Sequence, residues 1–138
     1  MLFTQKELSP SKRERLKDYV YDIIGYLFEV YKELPCGLPE YIYQEALEIE
    51  LRSQGIPFER EKEFDVFYKS EKLDKKYRVD FLCYNKIIVE LKAVTEMRPE
   101  FQAQTLNYMK MSKIKLGLLV NFGLPKLEIQ RLVRMQGW

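Results

Sequence analysis

The stretch "RVDFLCYNKIIVELK", Arg78 to Lys92, decides the fold that we expect for this chain. Each half alternates in character, and Tyr84-Asn85-Lys86 between them is a turn signal because asparagine tolerates left-handed backbone angles. We therefore predict a β-hairpin whose turn is centred on Asn85. Residues that face each other in such a hairpin have numbers that add to about 170, so Asp80 lies opposite Glu90.

The two faces of this hairpin differ in polarity. The odd-numbered face is entirely apolar and is predicted to be buried; it comprises Val79, Phe81, Cys83, Ile87, Val89 and Leu91. The other face carries Asp80, Glu90 and Lys92, with the two acids side by side and their Cβ atoms roughly 5 Å apart. Like charges so placed repel each other, unless a divalent cation such as Mg²⁺ or Mn²⁺ binds between them.

Lys92 projects from the same face as the two acids. It is placed to orient or activate a water molecule, or to stabilise negative charge that develops on a phosphate. An equally open alternative is that these are solvated charges on an exposed face, with Lys92 bridging the two acids.

The remaining pattern predicts helices and strands in the order of an α/β domain. Apolar residues recur every three or four positions from Ser11 to Leu34, and a second helix begins at Pro39 and ends before Gly55. The later predicted elements are strands Phe58–Tyr68, Tyr77–Tyr84 and Ile87–Leu91, a turn at "KSEKLDKK", a helix from Pro99 to about Met111 and a buried strand at "LGLLVNFG". The last stretch, "KLEIQRLVR", fits a strand or a short helix, and we favour the strand. We expect one domain over residues 1–138, with helices packed on a mixed sheet.

Composition limits the chemistry that is open to this chain. The 138 residues include 23 basic and 21 acidic residues and no histidine. Triads that need histidine and histidine-ligated zinc sites are therefore excluded, which leaves carboxylates, lysine, tyrosine and a hard metal ion. No membrane span or signal peptide is predicted, so the expected location is the cytoplasm. Cys36 and Cys83 are expected to be reduced.

An aspartate, nine intervening residues and then Glu-x-Lys resemble the PD-(D/E)xK nuclease superfamily, although Val79 replaces the proline of that name. "GLPEYIYQEALEIEL", "VELKAV", "QTLNY" and "GLLVNFG" together are similar to the GxxExxY protein family, a bacterial branch of that superfamily. Its name matches Gly37-x-x-Glu40-x-x-Tyr43, and the resemblance runs from about Lys17 to Val133. It implies a restriction-endonuclease-like αβββαβ core after an extra N-terminal helix, and a metal ion held by Asp80 and Glu90.

The resemblance also implies a metal-binding carboxylate on the helix before the sheet. Helix geometry favours Glu40, which is predicted to lie near the level of Asp80, while Glu45 and Glu50 remain alternatives. A Gln-x-x-x-Tyr motif is matched by Gln104 and Tyr108, where the glutamine would steer the water or the lysine and the tyrosine would lie near the phosphate. The competing interpretation is that the tyrosine belongs to the core and the glutamine to the surface.

These observations predict a metal-dependent phosphodiesterase that acts on nucleic acid, with DNA expected before RNA. Phosphate contacts would come from lysines, namely Lys69, Lys72, Lys75, Lys76, Lys86, Lys110, Lys113 and Lys115, each of which could equally be a solvated surface residue. The alternative is a non-catalytic module that retains the fold to bind nucleic acid or protein. A domain of this size could also need a second copy or another protein to select its substrate.

Overall fold

The structure is a computed structural model that describes residues 11–134, with only the backbone described for residues 11–14. Three helices and five strands follow one another as α1 (Ser11–Glu33), α2 (Glu40–Ser53), β1 (Phe58–Tyr68), β2 (Glu71–Cys83), β3 (Ile87–Lys92), α3 (Pro99–Ser112), β4 (Leu116–Asn121) and β5 (Glu128–Val133). No helix in this part of the chain is both long enough and apolar enough to cross a membrane. Cys36 and Cys83 are free thiols, exposed and buried respectively.

The strands form one mixed sheet in the order β1-β2-β3-β4-β5. Neighbours are antiparallel except β3 and β4, which are parallel and are joined through α3. The β2–β3 hairpin pairs Phe81 with Val89 and Cys83 with Ile87, which is the predicted register. The α/β class, the mixed sheet and the αβββαβ core after an extra helix are therefore confirmed.

Both faces of the sheet are covered by helices. On one face, α1 and α2 pack on the odd-numbered side chains of the hairpin, including Phe81 and Val89. On the other face, Met109 of α3 packs against Leu82 and Ile88, which are buried. The interpretation of that second face as an open, solvated surface is therefore wrong, because Leu82, Ile88 and Glu90 are all buried there.

One detail of the predicted face pattern is wrong. Val79 packs with the α3 cluster, whereas Phe81 packs with the α1–α2 cluster. The β1–β2 pairing runs through Arg60–Phe81 and Lys62–Val79 but skips the residues between them, and Glu61 has a positive φ of 53°. The register is the same on both sides of Asp80, so no residue is inserted there, and the regular alternation of side chains is nevertheless interrupted between Val79 and Phe81.

The stretch "KSEKLDKK" is also not the turn that we expected. Only Lys69 and Ser70 make the turn, both with positive φ, and Glu71 already begins β2. Residues 67–76 are all exposed, so this end of the hairpin extends away from the core. Because neither of its faces is buried, apolar alternation gives no signal for strand there.

Candidate active site

Asp80 and Glu90 are joined by two hydrogen bonds that cross between β2 and β3. The backbone N–H of Asp80 donates to Glu90 Oε1 at 2.6 Å, and the N–H of Leu91 donates to Asp80 Oδ2 at 2.8 Å. The backbone pairing of the hairpin ends at Phe81–Val89, so these side chains continue the contact where the ladder stops. One oxygen of each carboxylate is occupied in this way, which leaves the second oxygen of each outside the pair of bonds.

Burial makes this acidic pair electrostatically costly. Glu90 is only 5% exposed, and burial followed by the repulsion of Asp80 raises the pKa of Glu90 to about 8. Burial also raises the pKa of Asp80, although the Leu91 N–H and the charge of Lys92 act in the opposite direction. The local charges therefore do not neutralise the pair, and a bound cation would relieve the repulsion.

Glu40 is the acid of α2 whose pKa is influenced not only by burial but also by Lys92 and Asp80. It lies in the first turn of the helix, where the helix dipole favours a negative charge. Burial raises the pKa of Glu40, Lys92 lowers it and Asp80 raises it, so all three groups lie within electrostatic reach. The alternatives are elsewhere: Glu45 is exposed, and Glu50 accepts a hydrogen bond from Gln54 at the far end of the helix.

The turn before Glu40 is fixed by the two other residues of the Gly-x-x-Glu-x-x-Tyr motif. Gly37 adopts a φ of +83°, which glycine accommodates without steric cost, and its N–H donates to Phe122 O at 3.2 Å. The Tyr43 hydroxyl donates to Pro35 O at 2.5 Å and accepts from the N–H of Leu38 at 3.0 Å. The motif is therefore one structural unit, in which the glycine and the tyrosine position the glutamate.

Phe122 connects this turn to the end of β3. Its carbonyl accepts the Gly37 N–H, its own N–H donates to Lys92 O at 2.8 Å, and its ring stacks on Tyr43 with centroids 4.4 Å apart. Phe122, the first residue after β4, is therefore hydrogen-bonded both to the segment that precedes Glu40 and to the strand end that carries Lys92.

Asn121 and Gly123 hold the chain immediately after Lys92. The Asn121 side chain is fully buried; its Oδ1 accepts the N–H groups of Val94 and Gly123, and its Nδ2 donates to Val94 O at 3.0 Å. A Cβ on Gly123 would lie 2.2 Å from Val94 O, so no larger residue fits without movement. Asn121, Phe122 and Gly123 form a brace that the sequence did not predict, because "VNFG" indicates only a strand end and part of a family motif.

Lys92 lies against an aromatic ring of α3. Its Nζ is 4.6 Å from the centroid of Phe101, within the distance of a cation–π interaction. Charge interactions with Lys92 lower the pKa values of Asp80, Glu90 and Glu40, so the ammonium group lies close to all three acids. Phe101 was not predicted to belong to the site.

The two residues of the Gln-x-x-x-Tyr motif have different positions. Tyr108 is half-buried and stacks on Tyr77 at 5.0 Å, and burial followed by the charges of Glu90 and Asp80 raises its pKa. It is therefore a packed residue that also lies near the acidic pair. Gln104 is exposed on the same helix.

The lysines that we considered for phosphate contacts lie in separate regions. Lys69, Lys72, Lys75 and Lys76 are on the exposed end of the β1–β2 hairpin, where Asp65 pairs with Lys72 at 3.8 Å and with Lys76 at 3.7 Å. Lys110 is exposed on α3. Three others, Lys86, Lys113 and Lys115, line one cleft at the opposite end of the sheet from the acidic pair.

The residue types at this site fit a hard divalent cation. Carboxylate oxygens are the preferred protein ligands of Mg²⁺ and Mn²⁺, and the raised pKa values of Asp80 and Glu90 indicate a position where positive charge is favoured. Over residues 11–134, however, no group of three or more acidic, cysteine or histidine side chains is arranged to hold a metal ion. The carboxylates are thus suitable ligands for such a cation, but in this arrangement they do not form a complete metal-binding site.

A mixed five-stranded sheet between helices, with an acidic pair and a lysine at the end of its hairpin, defines a restriction-endonuclease-like α/β domain. The chain belongs to the PD-(D/E)XK nuclease superfamily, because the model of this family matches residues 17–132. The crystal structure of SSO0001 is similar, with a TM-score of 0.55 and 20% sequence identity over 69% of this chain. The chain spans about half of that structure, 50% of its length. Comparison with curated proteins gave no match.

Proposed function

We propose that this protein is a divalent-metal-dependent phosphodiesterase that acts on nucleic acid, with DNA as the expected substrate, and that it belongs to the GxxExxY branch of its superfamily. The observation that carries the proposal is the buried Asp80–Glu90 pair, because burial raises the pKa of both acids and the repulsion of Asp80 raises that of Glu90 further, in spite of the nearby charge of Lys92, and a bound cation would offset that cost. Nucleases of this superfamily generally use divalent metal ions. The intact Gly37-x-x-Glu40-x-x-Tyr43 unit supports the branch.

In the proposed site, Asp80 and Glu90 hold Mg²⁺ or Mn²⁺ and Glu40 supplies a third carboxylate. When bound, the ion would stabilise negative charge on the phosphate and on the leaving oxygen. Lys92 orients the attacking water through its ammonium group, which Phe101 holds beside the acids. Gln104 and Tyr108 are the proposed positioning residues for water and phosphate.

A second candidate, a module that binds nucleic acid or protein without cleavage, is favoured by one observation. No complete three-residue metal cage occurs within the described residues 11–134. A protein that retained the fold for binding alone would not need one. Partner binding through a second copy or another protein would be compatible with either function.

Calorimetric titration with Mn²⁺ tests the metal site first. The parent protein should bind the ion, and Asp80→Asn should lose at least tenfold in affinity because it removes one charged ligand and nearly preserves the side-chain shape. Glu45→Gln is the matched control, since this exposed acid of α2 lies outside the site and should leave the affinity unchanged. Equal affinity in the parent and in Asp80→Asn would remove the metal-site proposal.

Cleavage of single-stranded, duplex and branched DNA and of RNA should then be compared with Mg²⁺ or Mn²⁺ and with a chelator. We expect metal-dependent cleavage of DNA, with a rate lowered at least a hundredfold by Lys92→Met. Metal binding without cleavage of any substrate, together with salt-sensitive binding of nucleic acid, would instead favour the non-catalytic module.

A further inference from the structure

The cleft opposite the acidic pair has a one-sided charge distribution. It encloses about 710 Å³, which is within the range of about 300–1,000 Å³ that is typical of small-molecule sites. No acidic residue lines it in the part of the chain that the structure describes, although the whole chain has nearly equal numbers of acidic and basic residues. Five basic residues line it: Arg15, Lys86, Lys113, Lys115 and Arg134.

Within the part of the chain whose side chains are described, these five basic residues have no acidic partner. The Nε atoms of Arg15 and Arg134 are buried and have no hydrogen-bond partner among the described residues. A buried N–H donor without an acceptor is costly, and an anion in the cleft would satisfy it.

Apolar surface forms the remainder of the cleft. Leu16 and Tyr19 of α1 line one side, and Ile114, Leu116 and Val133 line the other. A ligand that carried only phosphate would leave this surface unused, whereas a nucleotide combines a phosphate with an aromatic base that can pack on apolar side chains.

We propose that this cleft is a second site, which binds the phosphate and base of a nucleotide. The five basic residues contact the phosphate, and the apolar wall packs against the base. The ligand is either a free mononucleotide or one unit of a nucleic-acid strand, since both present the same chemistry.

The site is separate from the proposed catalytic centre. Lys86 directly precedes β3 and Glu90 is the fourth residue after it, so these two positions are about 13 Å apart at about 3.3 Å per residue. A phosphate in the cleft is therefore not the one that Asp80 and Glu90 would act on. The proposal does not depend on catalysis and can be tested without a divalent ion.

The test is a fluorescence or calorimetric binding titration in a chelating buffer, with adenosine 5′-monophosphate and with a 12-nucleotide single-stranded DNA as probes. The double variant Lys86→Glu/Lys115→Glu should lose at least tenfold in affinity, because both side chains are exposed cleft residues whose change spares the core. The matched control is Lys32→Glu/Arg52→Glu, which makes the same change of charge at two exposed positions outside the cleft and should lose less than twofold.

The two probes distinguish the sources of the ligand. If the cleft variant, but not the control, loses affinity for the mononucleotide, the cleft is a free-nucleotide site. If it loses affinity for the DNA alone, the cleft binds one unit of a nucleic-acid strand. Affinity for DNA falls as salt rises, and each phosphate contact to a single strand contributes about −0.7 to the slope of log affinity against log salt concentration. Lys115→Gln should therefore make this slope less steep by about 0.7. The proposal is overturned if neither probe binds, or if the cleft and control variants lose affinity equally. The Mn²⁺ titration of the acidic pair is a separate measurement, so failure here leaves the proposed catalytic site untouched.

Discussion

Replacement of Glu90 by glutamine should stabilise the protein at alkaline pH and leave its stability at acidic pH nearly unchanged. Burial and the repulsion of Asp80 raise the pKa of Glu90 from 4.5 to about 8. The native state therefore retains a proton that the unfolded chain has already released, and stability falls as the pH rises from about 4.5 to about 8. In Glu90→Gln the side-chain oxygen can still accept the Asp80 N–H, and no proton can be lost.

The interval from 4.5 to about 8 corresponds to about 5 kcal/mol, at about 1.36 kcal/mol for each pH unit. Relaxation and water entry reduce the penalty of a buried charge, so we expect Glu90→Gln to gain about 2–5 kcal/mol at pH 9. At pH 4 both proteins carry an uncharged group at this position, and the difference should fall below about 0.5 kcal/mol.

Urea unfolding at pH 4, 6, 8 and 9 in a chelating buffer measures this difference. The chain has no histidine, and the acids outside the interacting group of Glu40, Asp80 and Glu90 are common to both proteins. In the control Glu45→Gln, the free energy of unfolding should differ from that of the parent by the same amount at every pH, because that acid is exposed. Added Mn²⁺ should stabilise the parent at pH 8 more than Glu90→Gln. Parallel stability curves for the parent and Glu90→Gln from pH 4 to pH 9 would refute the electrostatic argument for a cation site.

Three further predictions concern the surroundings of the site. Gly123→Ala should lower the free energy of unfolding by about 2 kcal/mol or more, measured by urea unfolding, because its Cβ would meet Val94 O at 2.2 Å. Tyr43→Phe should cost about 1–2 kcal/mol, and a cost near zero would contradict the role of the hydroxyl in the turn. A thiol reagent should label Cys36 rapidly and Cys83 only after unfolding, since burial raises the pKa of Cys83 to about 12; rapid labelling of both native thiols would be the contrary result.

The order of elements could be predicted from the sequence because apolar periodicity reports burial directly. The hairpin register followed from the turn at Asn85, and the structure has that register. The position of Glu40 near the level of Asp80 followed from helix and strand rise, and the effect of Asp80 on the pKa of Glu40 agrees with it. Local patterns of this kind require no knowledge of which elements pack together.

What could not be predicted depends on contacts between distant segments. Nothing in the hairpin alone indicates that α3 covers its acidic face, so Glu90 could equally have been solvated. Asn121 is predictable as a strand end, but its three hydrogen bonds to Val94 and Gly123 depend on how β4 lies beside β3. The exposed hairpin end around Lys69 has no buried face, so its strands had no apolar signal.

The brace gives a physical account of why this acidic pair is tolerated. Replacement of paired buried charges by apolar residues often stabilises a protein, so the acids are a cost that packing elsewhere must offset. Phe122 binds the Gly37 turn and Lys92 through its backbone, and Asn121 fixes the segment after Lys92. The turn before Glu40 and the strand end that carries Lys92 are thus both attached to the end of β4, whose residues are all buried.

This arrangement changes how the Gly-x-x-Glu-x-x-Tyr motif should be interpreted. Gly37 and Tyr43 act on the turn and on Phe122, and only Glu40 reaches the charged groups. A change at the glycine or the tyrosine should therefore displace the glutamate without altering the acidic pair itself. Tyr43→Phe should weaken Mn²⁺ binding less than Asp80→Asn does, because it loosens one proposed ligand and leaves two in place. An equal loss in both variants would mean that the tyrosine supports the whole site and not the position of Glu40 alone.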